Sequence, residues 1–256
     1  MRAGWEPEVE MQDRYWHDIV EALDYAFQPI VDYETHTCFG FEALLRQTDR
    51  AGIKSVQHLM NMSYGANLLQ WLNSLLIEKA IDKFIGLKGM NENVNLKLFF
   101  NLDSRILCDM SLLVRTLQGI YDKYDLPAPF ICFEITEFFD TFRKEMDRFR
   151  VQNRTLFEIA IDDFGTGFSD IKLLYSLRPE YIKIDRCFIA GIDHNLEKRS
   201  FLSHIVKMAG VLGTEVVAEG VENEREFEAC RQIGCKLVQG YFIQRPDVEL
   251  AKLISL

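Results

Sequence analysis

Two adjacent carboxylates, Asp162 and Asp163, close an apolar run over residues 156–161 and stand before a glycine-punctuated stretch, Phe164-Gly165-Thr166-Gly167. Some twenty residues on, a second apolar run over residues 181–184 carries Lys183 where a hydrophobe would continue the pattern. An Asp pair after a strand can simply cap the next helix through its side-chain oxygens. Repetition elsewhere weighs against that reading here. Apolar runs also contain or end in Glu42 (Phe41-Glu42-Ala43-Leu44), Asn101 (Phe99-Phe100-Asn101), Glu134 (Ile131-Cys132-Phe133-Glu134), Glu219 (Val216-Val217-Ala218-Glu219) and Gln239 (Leu237-Val238-Gln239-Gly240).

If these residues share one rim, Glu42, Glu134, Asp162, Asp163 and Glu219 bring five carboxylates together with one lysine. Two like charges about 4 Å apart repel by about 4 kcal/mol even at an effective dielectric near 20. Divalent cations relieve that repulsion. Oxygen donors with no Cys or His among them favour Mg²⁺ or Mn²⁺ over Zn²⁺, and adjacent aspartates suit a carboxylate that bridges two ions, the arrangement of two-metal phosphoester hydrolysis. A lysine in such a cluster can orient a water or offset charge developing on a phosphate.

The elements that must position this set follow from periodicity. Residues 15–24 have helical spacing, and 1–15 are polar and read as a linker or extension, with the folded unit over 16–256. Residues 26–33 and 38–45 read as a hairpin turning at Glu34-Thr35-His36-Thr37, with Pro29 marking the first strand as an edge or irregular member. One helical pattern covers 54–85. Strands are then expected at 96–102, 130–135, 156–161, 181–184, 215–218 and 236–241, and helices at 111–124, 136–150, 170–176, 197–212 and 222–233. Eight strands alternating with helices predict an α/β fold, a modified TIM (β/α)8 barrel with one antiparallel strand near the N-terminus. In such barrels chemistry gathers at the carboxyl ends of the strands.

The 256 residues are 48% hydrophobic, enough for a full core, and no apolar run is long enough to span a membrane. The acidic N-terminal stretch lacks a signal-peptide core. Six cysteines form no CxxC pair, which suits free thiols in a reducing, cytoplasmic setting. The net charge of −10 argues against polymeric nucleic acid as a partner, though not against a small phosphate ligand. The five histidines fall outside every motif and read as surface or structural residues.

The motifs FEALLR, FNLDS, FEITE, AIDDFGTGFSD, YIKID, VVAEGVEN and VQGYFIQRP occur in this order and closely resemble the EAL-domain cyclic di-GMP phosphodiesterases over about residues 20–250. The resemblance implies hydrolysis of cyclic di-GMP to linear pGpG with two Mg²⁺ or Mn²⁺ ions, on a barrel and commonly in a homodimer, with a sensory or regulatory domain upstream. It implies that Glu42, Asn101, Glu134 and Asp162 hold the first ion and Asp162 and Asp163 the second. It further implies that Lys183 contacts the attacking water, that Glu219 acts as general base or indirect ligand, and that Gln239 bonds near that water. Gln28, Leu44 and Arg46 match substrate-side positions, and Glu137 matches a residue that steadies the loop after Asp163, although Thr136 and Glu137 could equally open a helix. Departures from the family pattern are Met62-Ser63-Tyr64-Gly65, Leu102-Asp103-Ser104 and Asn223, none of them at a metal position. The alternatives are a catalytically silent cyclic di-GMP receptor and a barrel glycosidase working with a carboxylate pair. The glycosidase leaves Asn101, Lys183 and the Asp doublet without a role.

Overall fold

The computed structural model describes residues 6–87, 96–136, 155–166 and 170–249. Helix α1 (Glu6–Ala22) leads into the hairpin β1 (Asp24–Asp32) and β2 (Thr37–Arg46), followed by α2 (Val56–Gly65), α3 (Leu69–Gly86) and β3 (Lys97–Asn101). After a 3-10 turn at Ser104–Cys108 come α4 (Ser111–Tyr124), β4 (Ile131–Ile135), β5 (Phe157–Phe164), α5 (Asp170–Leu177) and β6 (Tyr181–Ile184). The short α6 (Arg186–Ile189), then α7 (Leu196–Val211), β7 (Glu215–Ala218), α8 (Glu224–Ile233) and β8 (Leu237–Val238) complete the order.

The strands pair in chain order and the sheet closes between β8 and β1. Strand β1 is antiparallel to both neighbours, whereas every pairing from β2 to β8 is parallel. This is the expected barrel with its one reversed strand. Closure leaves no edge, so Pro29 does not mark one. The Phe27 and Asp247 backbones exchange two hydrogen bonds, and Tyr33 N–H donates to Lys236 O, so the odd-numbered residues of β1 face the β8 side. Strand β8 is only two residues long, and Pro29 lies where that ladder has no partner for an N–H. The strand is irregular as expected, with a register shift at Ile30/Val31.

The single helix expected over 54–85 is two helices. Ser55 Oγ caps α2 by accepting from His58 N–H, and α2 ends where Ala66 N–H returns to Met62 O. Asn67 at φ 59° then turns the chain into α3. Both helices bury apolar residues, so the hydrophobic stripe runs on through the break. Helix α8 starts at Glu224 with Asn223 as its cap: Asn223 Oδ1 accepts Glu226 N–H while the Glu226 carboxylate accepts Glu222 N–H. A reciprocal box of this kind satisfies two orphan donors at once. The helix expected over 136–150 lies outside the described residues.

Apolar side chains fill two compartments. The larger lies between barrel and helices, where Phe84 of α3 packs edge-on against Phe27 and Phe41. The smaller plugs the lumen with Ile30, Phe99, Cys132, Ala160, Tyr181, Val217 and Leu237. No helix of the described residues is long and apolar enough to cross a membrane.

Candidate active site

A strand turns alternate side chains to the same face, so each lumen-plugging residue predicts a lumen-facing neighbour two positions on. Stepping two residues toward the mouth from Phe99, Cys132, Ala160, Tyr181, Val217 and Leu237 gives Asn101, Glu134, Asp162, Lys183, Glu219 and Gln239. On β1, which runs the other way, the step from Ile30 leads back to Gln28. The register sets Asn101 opposite Glu134 and Gln28 opposite Glu42. A polar layer therefore sits directly on an apolar plug.

Asp163 requires a further device, since strict alternation would turn it away from the lumen. Between β5 and β6 the register slips from Ile161↔Ile182 to Phe164↔Ile184, so β5 carries one extra residue there. Asp163 takes a left-handed backbone, φ 50°, a conformation that Asp tolerates better than most residues. The bulge brings oxygens of Asp162, Asp163 and Glu219 within 4.8 Å of one another. The next residues lock it: Thr166 N–H and Oγ1 both donate to Asp163 O, at 3.2 and 2.9 Å. Gly165 stands at φ 106°, and a Cβ there would fall 2.3 Å from the Phe188 ring.

Lys183 is the hub. Its Nζ lies 2.5 Å from Glu134 Oε1, 2.7 Å from Glu219 Oε1, and 3.3 Å from both Glu42 Oε2 and Asp162 Oδ1, with the side chain 1% exposed. An ammonium has three N–H donors and cannot satisfy four carboxylates. Among the described residues, Asp162 Oδ1 and Glu134 Oε1 are buried without a hydrogen bond beyond that contact with the ammonium. Asn101 Nδ2 donates to Glu42 Oε1 at 3.1 Å and to Glu134 Oε2 at 3.0 Å. Gln239 Nε2 donates to Glu42 Oε2 at 2.7 Å and to Gln28 Oε1 at 3.2 Å, and Gln28 Nε2 reaches Gln244 O at 3.1 Å.

The electrostatics record the surplus of negative charge. Burial pushes the Glu134 carboxyl well above the ordinary range, repulsion from Glu42 adds to it, and Lys183 only partly opposes. Burial likewise lifts Glu219 to about 8 against the pull of Lys183, with Asp162 and Glu42 adding. Asp163 is raised by burial and by the neighbouring Asp162. Glu42 goes the other way: burial raises it, but Lys183 and the bonds from Gln239 and Asn101 together hold it low. Burial alone would discharge Lys183, yet the surrounding carboxylates keep its ammonium charged far above the usual range.

A divalent cation fits this donor set. The donors are oxygens, their charge exceeds that of the one lysine, and among the described residues buried Glu134 Oε1 and Asp162 Oδ1 have no partner but the shared Lys183 ammonium. Two expected substrate residues, Leu44 and Arg46, follow Glu42 at alternate positions on β2 and are half-buried. They stand outside the hydrogen-bond network, and Arg46 Nη1 donates to Leu45 O. Glu137 and the loop residues Gly167, Phe168 and Ser169 lie outside the described residues. Beside the carboxylates opens a cavity of about 250 Å³ lined by Gln28, Glu42, Asp185, Glu219, Gln239 and Tyr241, with Arg186 and Glu222 at its wall. Sequence reasoning did not single out Asp185, Arg186 or Glu222. Asp185 and Glu222 lie inside the YIKID and VVAEGVEN motifs without a role of their own, and the signal of Arg186 was its position just beyond the end of β6. A larger cleft, about 750 Å³, lies along α8 between His36 and Phe242 and contains none of the polar-layer residues.

The EAL domain family model matches residues 19–246, and the chain belongs to this family. A probable cyclic di-GMP phosphodiesterase of Escherichia coli K12, PdeI, is 30% identical over 86% of this chain and 28% of its own length. The PaMucR phosphodiesterase solved in complex with c-di-GMP is similar at 26% identity and a TM-score of 0.71, over 91% of this chain and 97% of that one. Klebsiella pneumoniae BlrP1, solved with manganese and c-di-GMP, is 27% identical with a TM-score of 0.73, over 88% of this chain and 56% of that one. The chain spans only about a third of the length of other curated relatives that it matches.

Proposed function

We propose that this chain is a metal-dependent phosphodiesterase that hydrolyses cyclic di-GMP to linear pGpG. The observation that carries the reading is the bulge at Asp162–Asp163, which sets two carboxylates and Glu219 within 4.8 Å of one another beside a buried lysine. Glu42, Asn101, Glu134 and Asp162 would hold one divalent ion, and Asp162 and Asp163 a second, Mg²⁺ or Mn²⁺. Such ions make water a nucleophile near neutral pH and offset charge on the phosphate oxygens.

The chain's own residues supply the rest. The Lys183 ammonium, fixed by Glu134 and Glu219, presents positive charge to the attacking water and the phosphate. Burial holds the Glu219 carboxyl high and repulsion from Asp162 and Glu42 adds to it; with the charge of Asp162 offset, part of that repulsion would fall, and the Glu219 carboxylate would take a proton from the water. The water oxygen forms the new bond to phosphorus, the bond to the ribose 3′ oxygen breaks, and that oxygen takes up a proton to leave a 5′-phosphate. Gln239 and Gln28 form an amide pair that orients Glu42 and faces the cavity where part of the dinucleotide would lie. Leu44, Arg46 and, in the loop, Glu137 complete the proposed substrate and loop contacts. The reading places the domain over residues 16–256 in the cytoplasm, as a homodimer joined to a regulatory domain upstream.

The experiment is pGpG formation by purified protein with Mg²⁺, Mn²⁺ or EDTA, with cyclic di-GMP binding measured in the same samples. Metal-dependent pGpG is the expected result. Binding without product would overturn hydrolysis in favour of the receptor, and turnover that survives EDTA would overturn the metal.

A further inference from the structure

The peptide that carries Glu219 into the mouth is gripped by a residue outside the carboxylate cluster. Glu219 N–H donates to Ile184 O and Val221 N–H to Gln239 O, both at 3.1 Å, which ties the segment to β6 and β8. Between these ties stands Gly220 at φ 66°, and a Cβ on it would lie 2.8 Å from both Cβ and Cγ of Arg186. Gly240 approaches the same segment so closely that a Cβ there would fall 2.1 Å from Val221 O. The Arg186 guanidinium closes over the turn: Nη1 donates to Gly220 O at 2.5 Å and Nη2 pairs with Glu222 Oε2 at 2.7 Å. Arg186 opens α6 directly after Asp185, whose Oδ1 accepts Cys187 N–H, so the arginine's own backbone is anchored.

We propose that Arg186 is a positioning residue for the hydrolysis, holding the Gly220 peptide so that the Glu219 carboxylate stays against Lys183 and beside the Asp162–Asp163 bulge. The inference rests on the hydrolase reading above. Both partners of the Arg186–Glu222 pair are more than 40% exposed, and exposed ion pairs contribute little to stability. The bond to Gly220 O is a different matter, because it bears on the peptide next to the proton acceptor. A planar guanidinium serves two acceptors at a fixed angle, which a lysine does not.

The test is steady-state kinetics on cyclic di-GMP with Mn²⁺ for wild type, Arg186→Ala and Arg186→Lys, together with the folded fraction by circular dichroism. Misplacement of a reacting group by about 1 Å can lower the rate about 100-fold, so Arg186→Ala is expected to lose about 10- to 100-fold in kcat with little change in KM. Arg186→Lys should recover part of that loss, since one donor can still reach Gly220 O. A kcat for Arg186→Ala close to wild type would overturn the proposal, as would a rise in KM with kcat intact, which would make Arg186 a direct substrate contact. A loss that vanishes on correction for folded fraction would overturn it as well. Failure of the wild type itself to turn over would instead sink the hydrolase reading.

Discussion

The floor and the mouth of the barrel lumen are built by the same strands and differ by a step of two residues. On the floor, Phe99, Tyr181 and Phe39 meet edge to face or tilted, with ring centroids 5.3–6.3 Å apart, and the one carboxylate that Tyr181 Oη reaches, Glu158 at 3.1 Å, is itself paired with Lys97 at 2.6 Å. In the mouth, carboxylates crowd around one ammonium, and among the described residues Glu134 Oε1 and Asp162 Oδ1 have only that shared ammonium as a partner. Each fully buried apolar side chain on the floor stabilises the fold by about 1.5–3 kcal/mol, whereas each surplus carboxylate in the mouth costs the metal-free protein stability. Folding is supported below, and binding capacity is stored above.

Truncating the floor should have the largest effect. Phe99→Ala is expected to destabilise the protein by about 3–5 kcal/mol in urea unfolding, and a cost near zero would mean that the mouth does not depend on its plug. Next is Lys183→Met, which leaves the mouth carboxylates with no cation among them. It should cost about 3 kcal/mol or more in EDTA; stability equal to wild type would show that the lysine does not balance the cluster. The smallest effect sharpens the contrast by restoring balance from outside. Mn²⁺ at about 100 times its Kd should stabilise the wild type by about 2.7 kcal/mol, and Asp162→Asn should forfeit most of that gain. A metal-induced Tm shift that persists in Asp162→Asn would move the ion elsewhere.

The alternation that separates floor from mouth also made the site legible in the sequence. Strands β6 and β7 begin and end where expected, because an apolar run with a polar lumen residue leaves little freedom of register. Asn101, Glu134, Asp162, Lys183, Glu219 and Gln239 converge for the same reason. What stayed hidden is held in backbone geometry and in contacts distant in sequence. Nothing in the residue types 162 and 163 announces the left-handed turn at Asp163. The break between α2 and α3 is masked by an apolar stripe that serves both helices, and α6 is a four-residue turn too short to show a period. Arg186 has no motif of its own, and its role emerges only when Gly220 is brought against it across two strands.

The reversed first strand also decides how the chain enters the molecule. In a regular (β/α)8 barrel the opening strand climbs from the floor. Here Asp24, the first residue of β1, pairs with Arg46 at the mouth end of β2, so the junction with α1 sits on the rim. Helix α1 is riveted there: Trp16, Ile19 and Val20 are buried, and Lys79 Nζ grips the carbonyls of Val20 and Glu21 at 2.7 and 3.0 Å. From that rivet β1 runs straight down to Gln28 and its amide partner Gln239. The path from α1 to the polar layer therefore lies along a single strand and bypasses the apolar floor.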